Sequence, residues 1–469
     1  MQFRDILEFY RKHSYTEKDK GWRFEKLIKA FFKTDPRYAH LIKDIWLWNE
    51  FFGKDNFGGS DIGIDIVIKT TTGEFWAVQC KFYAETATID KPAVDSFLST
   101  SSKSFISEDG KTTWFSRRLF VSTTNQWGSN AEIAISNQNP PVIRINLSEL
   151  EDAPVNWEKL FNDISGESAR IEKFPIRPHQ KEALDRSIEY FKTYDRGKLI
   201  MACGTGKTYT SLKIAETLTG GDGLVLFLVP SIALLGQTLK EWASQANEPL
   251  NPILVCSDSG VGRNNDDDSD INILDLPLPA TTDTFRVASQ IEKFIEKDEK
   301  KLTVIFSTYQ SIEVVSKAQK LLKQSGAKKY KFDVVICDEA HRTTGVQLKD
   351  EDQSAFIKVH SNDNIEALKR IYMTGTPRLY SLESQTKAAI NDALLCSMDD
   401  PELYGDEIYR IGFGEAVDKN LLSDYKVLVL TVSEDNFPQA YKKLIEDPNH
   451  EITSSDASKI IGCINALSK

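Results

Sequence analysis

The chain has 469 residues, enough for roughly two to four domains with full apolar cores. A hydrophobic share of 41% beside 27% charged residues is ordinary for a water-soluble globular protein. The formal net charge of −11 excludes a generally basic nucleic-acid coat and leaves room only for a locally basic groove. The cysteines (Cys80, Cys203, Cys256, Cys337, Cys396, Cys463) are scattered, mostly in apolar runs and without a C-x-x-C pair. They read as free core thiols in a reducing compartment, and the histidines show no metal-site spacing. The N-terminus lacks a signal-peptide apolar region, and the longest apolar stretch, 223–236, is short and holds Pro230. The expectation is a cytoplasmic protein with no membrane partner.

Residues 1–165 read as one unit. Phe24, Leu27, Ile28, Phe31 and Phe32 recur at helical spacing and mark a helix with one buried face, with Glu25 beside the stripe. After Phe57-Gly58-Gly59-Ser60 come two strand patterns, Asp61 to Lys69 and Phe75 to Tyr83, joined by a turn at Thr72-Gly73. Alternation places Ile64, Ile66 and Ile68 on one side and Asp65 on the other. In the second strand Trp76, Val78, Cys80 and Phe82 share the apolar side, and Gln79 and Lys81 the opposite one. Such a hairpin can bring Asp65, Gln79 and Lys81 to one polar surface. A carboxylate and an amide oxygen can hold magnesium, and an ammonium can orient water or offset charge on a phosphate. The same spacing also fits the polar outer face of an ordinary hairpin.

Residues 20–150 resemble the Mrr-type branch of the PD-(D/E)xK nucleases. The likeness rests on Gly21 to Glu25 in an opening helix, Gly59 to Asp65, and Val78-Gln79-Cys80-Lys81. Phe120-Val121-Ser122-Thr123-Thr124 followed by Ala131 in a helix completes it. The resemblance implies a DNA nuclease with Asp65, Gln79 and Lys81 catalytic, Asp65 and Gln79 holding Mg²⁺, and Asp61 and Glu25 as further members. Glutamine in place of glutamate is usual in that branch.

Residues 166–177 read as a linker, signalled by Ser165-Gly166-Glu167-Ser168. A helix then opens at Pro175-Ile176-Arg177-Pro178-His179-Gln180 and runs through Phe191. Gln180 fits either an adenine contact or a solvated helix start. The apolar run Lys198 to Met201 leads into Ala202-Cys203-Gly204-Thr205-Gly206-Lys207-Thr208 and a helix carrying Leu212, Ala215 and Leu218, ended by Gly220-Gly221. This is a phosphate loop with Met201 where the first glycine is expected. Glycines let backbone N–H groups close around phosphate oxygens at a helix N-terminus. Lys207 would reach the outer phosphates, and the Thr208 hydroxyl would ligate Mg²⁺.

Strands follow at Leu224–Val229, Leu302–Phe306, Phe332–Cys337 and Ile371–Met373, alternating with helical patterns, which predicts a parallel α/β sheet over 178–430. Each ends in polar or small residues, where ligands of such sheets sit. Asp338-Glu339 after Val334-Val335-Ile336-Cys337 supplies the partner of the phosphate loop: Asp338 for magnesium and Glu339 for the hydrolytic water. The acidic run within 260–283 is expected to face away from DNA, and the lysines between 320 and 331 fit a solvated face better than a DNA contact.

Residues 174–430 resemble superfamily 2 helicase and translocase motors through Gln180, Gly204 to Thr208, Pro230-Ser231, Thr308, Asp338 to His341 and Thr374-Gly375-Thr376. The likeness implies that Gln180, Gly204, Thr205, Gly206, Lys207, Thr208, Asp338 and His341 bind ATP with Mg²⁺. It also implies that Ser231 and Thr308 lie near the nucleic-acid backbone, and that His341 and Thr374 couple nucleotide state to movement. Residues 397–430 look like the connector after a first RecA-like domain, and 431–469, with a helix at Ser458–Lys469, like the start of a second that does not follow. The expectation is therefore a piece of a longer protein that turns ATP over weakly. A nuclease ahead of such a motor is similar to the single-polypeptide (type ISP) class of ATP-dependent restriction enzymes. That class implies double-stranded DNA as partner, with methyltransferase and target-recognition domains on the parent chain. A repair helicase–nuclease, an RNA helicase and a DNA-clamping module with an inactive nuclease site stay open at this point.

Overall fold

The computed structural model describes residues 1–58, 63–257, 272–297, 300–348, 355–381 and 393–424. Asp61 and its neighbours 59–62, the acidic run at 264–268, the end of the expected connector at 425–430, the segment 431–469 and Cys463 lie outside the described residues.

The first half of the chain is built on a five-stranded sheet. The strands are β1 (Ile42–Leu47), β2 (Ile66–Thr70), β3 (Phe75–Lys81), β4 (Phe115–Ser122) and β5 (Val142–Ile145), side by side in that order. The β1–β2 and β2–β3 pairs are antiparallel; β3–β4 and β4–β5 are parallel. Parallel neighbours need a crossover, and helix α3 (Lys91–Ser101) provides the one between β3 and β4. Helix α1 (Phe3–His13) precedes α2 (Glu17–Thr34), whose Phe24, Leu27, Ile28, Phe31 and Phe32 are all buried. Each such side chain contributes about 1.5–3 kcal/mol on full burial. Thr16 caps α2 by accepting from Asp19 N–H.

β3 is buried on both faces, against the expectation of one polar side: Phe75 and Ala77, on the side of Gln79, pack with Val94 and Phe97 of α3, while Phe82, just past the strand, meets Phe24 of α2 at 5.5 Å between ring centroids. The expected alternation in β2 begins only at Ile66. Ile64 precedes the strand and joins the cluster of Val67 and Phe97, the side opposite to the one expected. Gly63, with φ of +82°, sits between them and the preceding turn and frees the chain from strand geometry.

The second half carries a seven-stranded, wholly parallel sheet of β6 (Arg196–Met201), β7 (Gly223–Val229), β8 (Asn251–Val255), β9 (Leu302–Thr308), β10 (Val334–Cys337), β11 (Arg370–Thr374) and β12 (Asp406–Ile411). Their spatial order is β8-β9-β7-β10-β11-β6-β12. All seven residues of β7 are buried, as a central strand covered on both faces requires. One face packs on α7 (Thr284–Glu296) and α8 (Ile312–Ser325) through Leu226, Val287, Ile291 and Val315. Across the other face Trp242 of α6 (Ile232–Gln245) meets Phe227 and Phe306 edge-on at 5.1 and 5.8 Å.

β12 lies inside the segment expected to be a connector, yet it pairs along β6 as an edge strand of this sheet. Its apolar residues, Ile408, Tyr409 and Ile411, are too few and do not alternate, so they carry too weak a signal to read as a strand in sequence. The polar linker at 165–168 is also strapped down: Gly166 N–H donates to Thr34 Oγ1 at 2.9 Å, and Arg170 Nε to Thr34 C=O at 2.9 Å. Polar composition reported its exposure to water and not its tethering. From Phe413 a separate unit begins, described here as one short helix, Phe413–Asp418, and the turn after it.

The two sheets belong to one compact unit, joined at a short strap, Ile273–Asp275, that follows the acidic segment. Arg144 of β5, 6% exposed, donates from Nε and Nη2 to both Asp275 oxygens at 2.8 and 2.7 Å, and from Nη1 to Glu132 at 2.8 Å. Leu274 packs against the core of the first sheet beside this pair. Bidentate arginine–carboxylate bonds out of water are among the stronger polar contacts. Arg144→Met should therefore raise amide exchange of 273–276 at least tenfold, about 1.4 kcal/mol of local opening, by hydrogen-exchange mass spectrometry.

Candidate active sites

At the first sheet, Asp65 sits at the mouth of β2, opposite the end of β3. Its N–H donates to Val78 C=O at 2.9 Å, and its Oδ2 accepts Cys80 N–H at 2.6 Å. The carboxylate is thereby fixed between Gln79 and Lys81 along the strand. Gln79 is 1% exposed, and its Oε1 has no hydrogen-bond partner among the described residues. A buried carbonyl oxygen without a donor is costly, so an oxygen-seeking cation fits its surroundings. Burial drives the Cys80 thiol well above its ordinary pKa; the charges of Asp65 and Glu25 add to the shift and Lys81 opposes it. Asp65, Glu25 and Lys81 thus each lie within charge reach of Cys80. Among the described residues no cluster of three His, Cys, Asp or Glu side chains could hold a metal. An ion here would depend on Asp65, the Gln79 amide and water, a sparse set that suits magnesium.

Thr123 and Thr124, both fully buried, position the end of β3. Thr123 N–H donates to Lys81 C=O, its Oγ1 accepts Tyr83 N–H at 2.8 Å, and Thr124 Oγ1 donates to Ala87 C=O at 2.7 Å.

At the second sheet, β6 runs into the loop 202–206 and helix α5 (Lys207–Thr219), which Gly220 ends in left-handed geometry. Gly204 and Gly206 have φ of +82° and +84°. A Cβ on Gly206 would meet Gln180 Nε2 at 2.4 Å and shift that side chain, and the positive φ favours glycine there. Thr205 Oγ1 donates to Ala202 C=O at 2.7 Å, and His179 Nε2 lies 2.8 Å from Thr205 C=O. Gln180, in α4 (Pro178–Tyr190), is 5% exposed, so the solvated alternative does not hold. Its Oε1 accepts Arg177 N–H at 2.9 Å, and Nε2 reaches Thr205 C=O only at 3.5 Å. The long bond leaves the amide able to exchange partners. Sequence reasoning passed over His179, whose only signal was its place beside Gln180.

The expectation of core thiols fails at Cys203, which is exposed, with its Sγ 3.8 Å from Lys207 Nζ. It follows the last residues of the strand and belongs to the loop. Cys80, Cys256, Cys337 and Cys396 are buried.

Asp338, at the carboxyl end of β10, is 6% exposed; burial and the neighbouring Glu339 push it up to about 6, and Lys207 pulls the other way. Lys207 therefore lies within charge reach of Asp338. Tyr309 Oη donates to Asp338 C=O at 2.9 Å and holds the turn. Glu339 adopts φ of 48° and ψ of 47°, a left-handed conformation costly for a non-glycine residue and common at functional turns. His341 Nδ1 lies 3.0 Å from Thr374 Oγ1 and 3.3 Å from Glu339 Oε2, which links the acidic turn to the loop after β11. Burial lowers the His341 pKa, with Arg378 and Lys207 among the charges that add to the shift. Two adjacent acids faced by one lysine leave an excess of negative charge that suits a divalent cation, and Thr208 opens the helix beside them. Thr208 C=O accepts Trp242 Nε1 at 3.1 Å, which ties α5 to α6.

Ser231 caps α6 by accepting Leu234 N–H at 3.3 Å, and Thr308 is buried with its hydroxyl 3.2 Å from Ser311 Oγ. Among the lysines of 320–331, Lys323 pairs with Glu366 at 2.5 Å and Lys329 with Asp333 at 2.8 Å, in keeping with a solvated face.

Family comparison matches residues 33–167 to a restriction endonuclease family and residues 173–379 to the type III restriction enzyme res subunit. The chain carries a restriction endonuclease domain and a helicase-type ATPase domain. Among solved structures it matches the ATP-dependent Type ISP restriction-modification enzyme LlaBIII bound to DNA, at 34% identity and a TM-score of 0.76, over 100% of this chain and 28% of that one. Probable helicase A859L of African swine fever virus (isolate Tick/South Africa/Pretoriuskop Pr4/1996) is 27% identical over 62% of this chain and 28% of the viral protein. The type I restriction enzyme EcoAI endonuclease subunit of Escherichia coli is 24% identical over 60% of this chain and 26% of its own length. The chain thus spans a little over a quarter of each of these relatives. Among the described residues no helix is long and apolar enough to cross a membrane.

Asp338 gives the ATPase domain a measurable stability signature. Its folded pKa of about 6 lies above the usual carboxylate value, so the folded state binds the proton more tightly. Stability falls as pH rises from about 4 to 6, and the full cost, roughly 2 to 3 kcal/mol, persists above that window. Asp338→Asn should stabilise the metal-free protein against urea at pH 7.5 by up to that amount and show no gain at pH 4.

Proposed function

We propose that this chain cleaves DNA phosphodiesters at Asp65, Gln79 and Lys81, and that ATP-driven movement along double-stranded DNA by the helicase-type domain is coupled to that cleavage. The observation that carries the nuclease half is the buried, unpartnered Gln79 Oε1 beside an Asp65 carboxylate held by Cys80 N–H. Magnesium, when bound, supplies Lewis acidity and a more acidic water at each site. Asp65 and Gln79 would hold it at the nuclease site, and Thr208 and Asp338 at the ATPase site.

Each remaining residue has a role of its own. Lys81 offsets negative charge as it builds on the scissile phosphate and orients the attacking water. Gly204, Thr205 and Gly206 surround nucleotide phosphates with backbone N–H groups, and Lys207 neutralises the outer ones. Glu339 polarises the hydrolytic water, and His341 carries the change at that carboxylate to Thr374 and the loop after β11. Gln180 braces Thr205 and is placed to exchange that weak bond for an adenine edge. The domain boundaries that serve this division are 1–165 for the nuclease, 166–177 for the linker, 178–430 for the first RecA-like domain and 431–469 for the start of the connection to a second. Site-specific restriction, with methyltransferase and target-recognition domains on a longer parent chain, is the biological setting that the likeness to a Type ISP enzyme favours.

Two substitutions separate the halves. Lys81→Ala should reduce magnesium-dependent nicking of plasmid DNA by about 100-fold or more with nucleotide binding unchanged. Lys207→Ala should abolish binding of a fluorescent ATP analogue. Cleavage by Lys81→Ala at the parent rate would sink the nuclease reading and leave a DNA clamp.

A further inference from the structure

A cavity of about 140 Å³ lies between the nuclease domain and helix α7 of the ATPase domain, and none of the candidate catalytic residues lines it. From the nuclease side it is lined by His40, Trp76 of β3 and Arg117 of β4. Trp76 is 1% exposed, and its Nε1 has no hydrogen-bond partner among the described residues. Arg117 stacks on the Trp76 ring, Cζ to centroid 4.5 Å, and its buried Nη1 is also without a partner. Burial lowers the Arg117 pKa to about 10, with Arg286 adding to the shift and Glu74 opposing it. His40 Nδ1 lies 2.9 Å from Pro36 C=O and donates to it, which leaves Nε2, likewise unpartnered, as an acceptor for a protonated oxygen.

From the ATPase side come Lys293 and Lys297, four residues apart on one face of the chain around α7, and Lys301. Four basic side chains line the cavity against one acid, Glu74. Two donors left without an acceptor in a positive, half-enclosed space call for an anion, since each orphan costs about 1–3 kcal/mol. A lone water would need only about 10–15 Å³ of this volume, so the space is built for something larger.

We infer that this cavity binds a phosphate group, gripped by Arg117 and Trp76 of the nuclease domain and by Lys293 and Lys297 of the ATPase domain. A tetrahedral oxyanion matches the guanidinium fork and offers enough oxygens for the indole N–H and the two ammonium groups. The group could come from a DNA backbone crossing the seam or from free phosphate, and in either case it bridges the two domains by charge.

The test uses inorganic pyrophosphate and the whole chain in a Lys207→Ala background, which removes the phosphate loop as a competing site. Calorimetry should show a single class of site. Adding Lys293→Gln and Lys297→Gln, both exposed and harmless to the core, should weaken it by at least about tenfold, or 1.4 kcal/mol. Absence of binding in the Lys207→Ala chain, or equal affinity in the triple variant, overturns the inference. Titrating the same two chains with a short DNA duplex at two salt concentrations identifies the source. A drop in DNA affinity and in salt dependence assigns the site to the DNA backbone. Unchanged DNA binding beside lost pyrophosphate binding assigns it to free phosphate.

Discussion

The ATPase half depends on one electrostatic constraint: two adjacent acids, Asp338 and Glu339, are held at the carboxyl edge of a parallel sheet with Lys207 as the countercharge. Burial of Asp338 is unfavourable enough to raise its pKa to about 6. The surrounding fold must therefore hold it in place by force of packing. It does so through the fully covered strands β7 and β10, through Tyr309 beneath the turn, and through the left-handed backbone at Glu339. Strain and desolvation of this kind recur where a ligand completes the charge balance. The same turn reaches Thr374 through His341, which links it to a neighbouring strand end.

The nuclease half solves a related problem with less charge. Asp65 is aimed by Cys80 N–H, which donates to one of its carboxylate oxygens. Gln79 contributes a neutral oxygen in the buried environment where a second carboxylate would be costlier still. Thr123 and Thr124 then fix the chain beyond Lys81, which turns a conspicuous run of small polar residues into a positioning device. Both halves thus keep an incompletely satisfied polar centre inside a well-packed sheet.

The two halves meet at contacts of opposite character. At the strap, Arg144 is satisfied by Asp275 and Glu132, and Leu274 packs beside it. At the other seam, Arg117 and Trp76 keep donors unspent opposite the lysines of α7. A tight polar hinge next to an unsatisfied cationic gap is an arrangement in which ligand charge can alter how firmly the domains are held.

Local chemistry carried much of this in one dimension. The stripe of α2, the glycines of the phosphate loop and the Asp338-Glu339 strand end are short-range patterns, because helix spacing, left-handed turns and strand-end polarity act over a few residues. What the sequence by itself determined was therefore the two kinds of domain, their order and the residues proposed for each site. Tertiary structure decided the rest: that Ile64 sides with Val67, that residues 406–411 complete the motor sheet, that Cys203 faces outward, that residues 166–170 are strapped to α2, and that Arg144 reaches Asp275. These are contacts between segments far apart in the chain. Their energies depend on which surfaces are brought together, and no local periodicity records that.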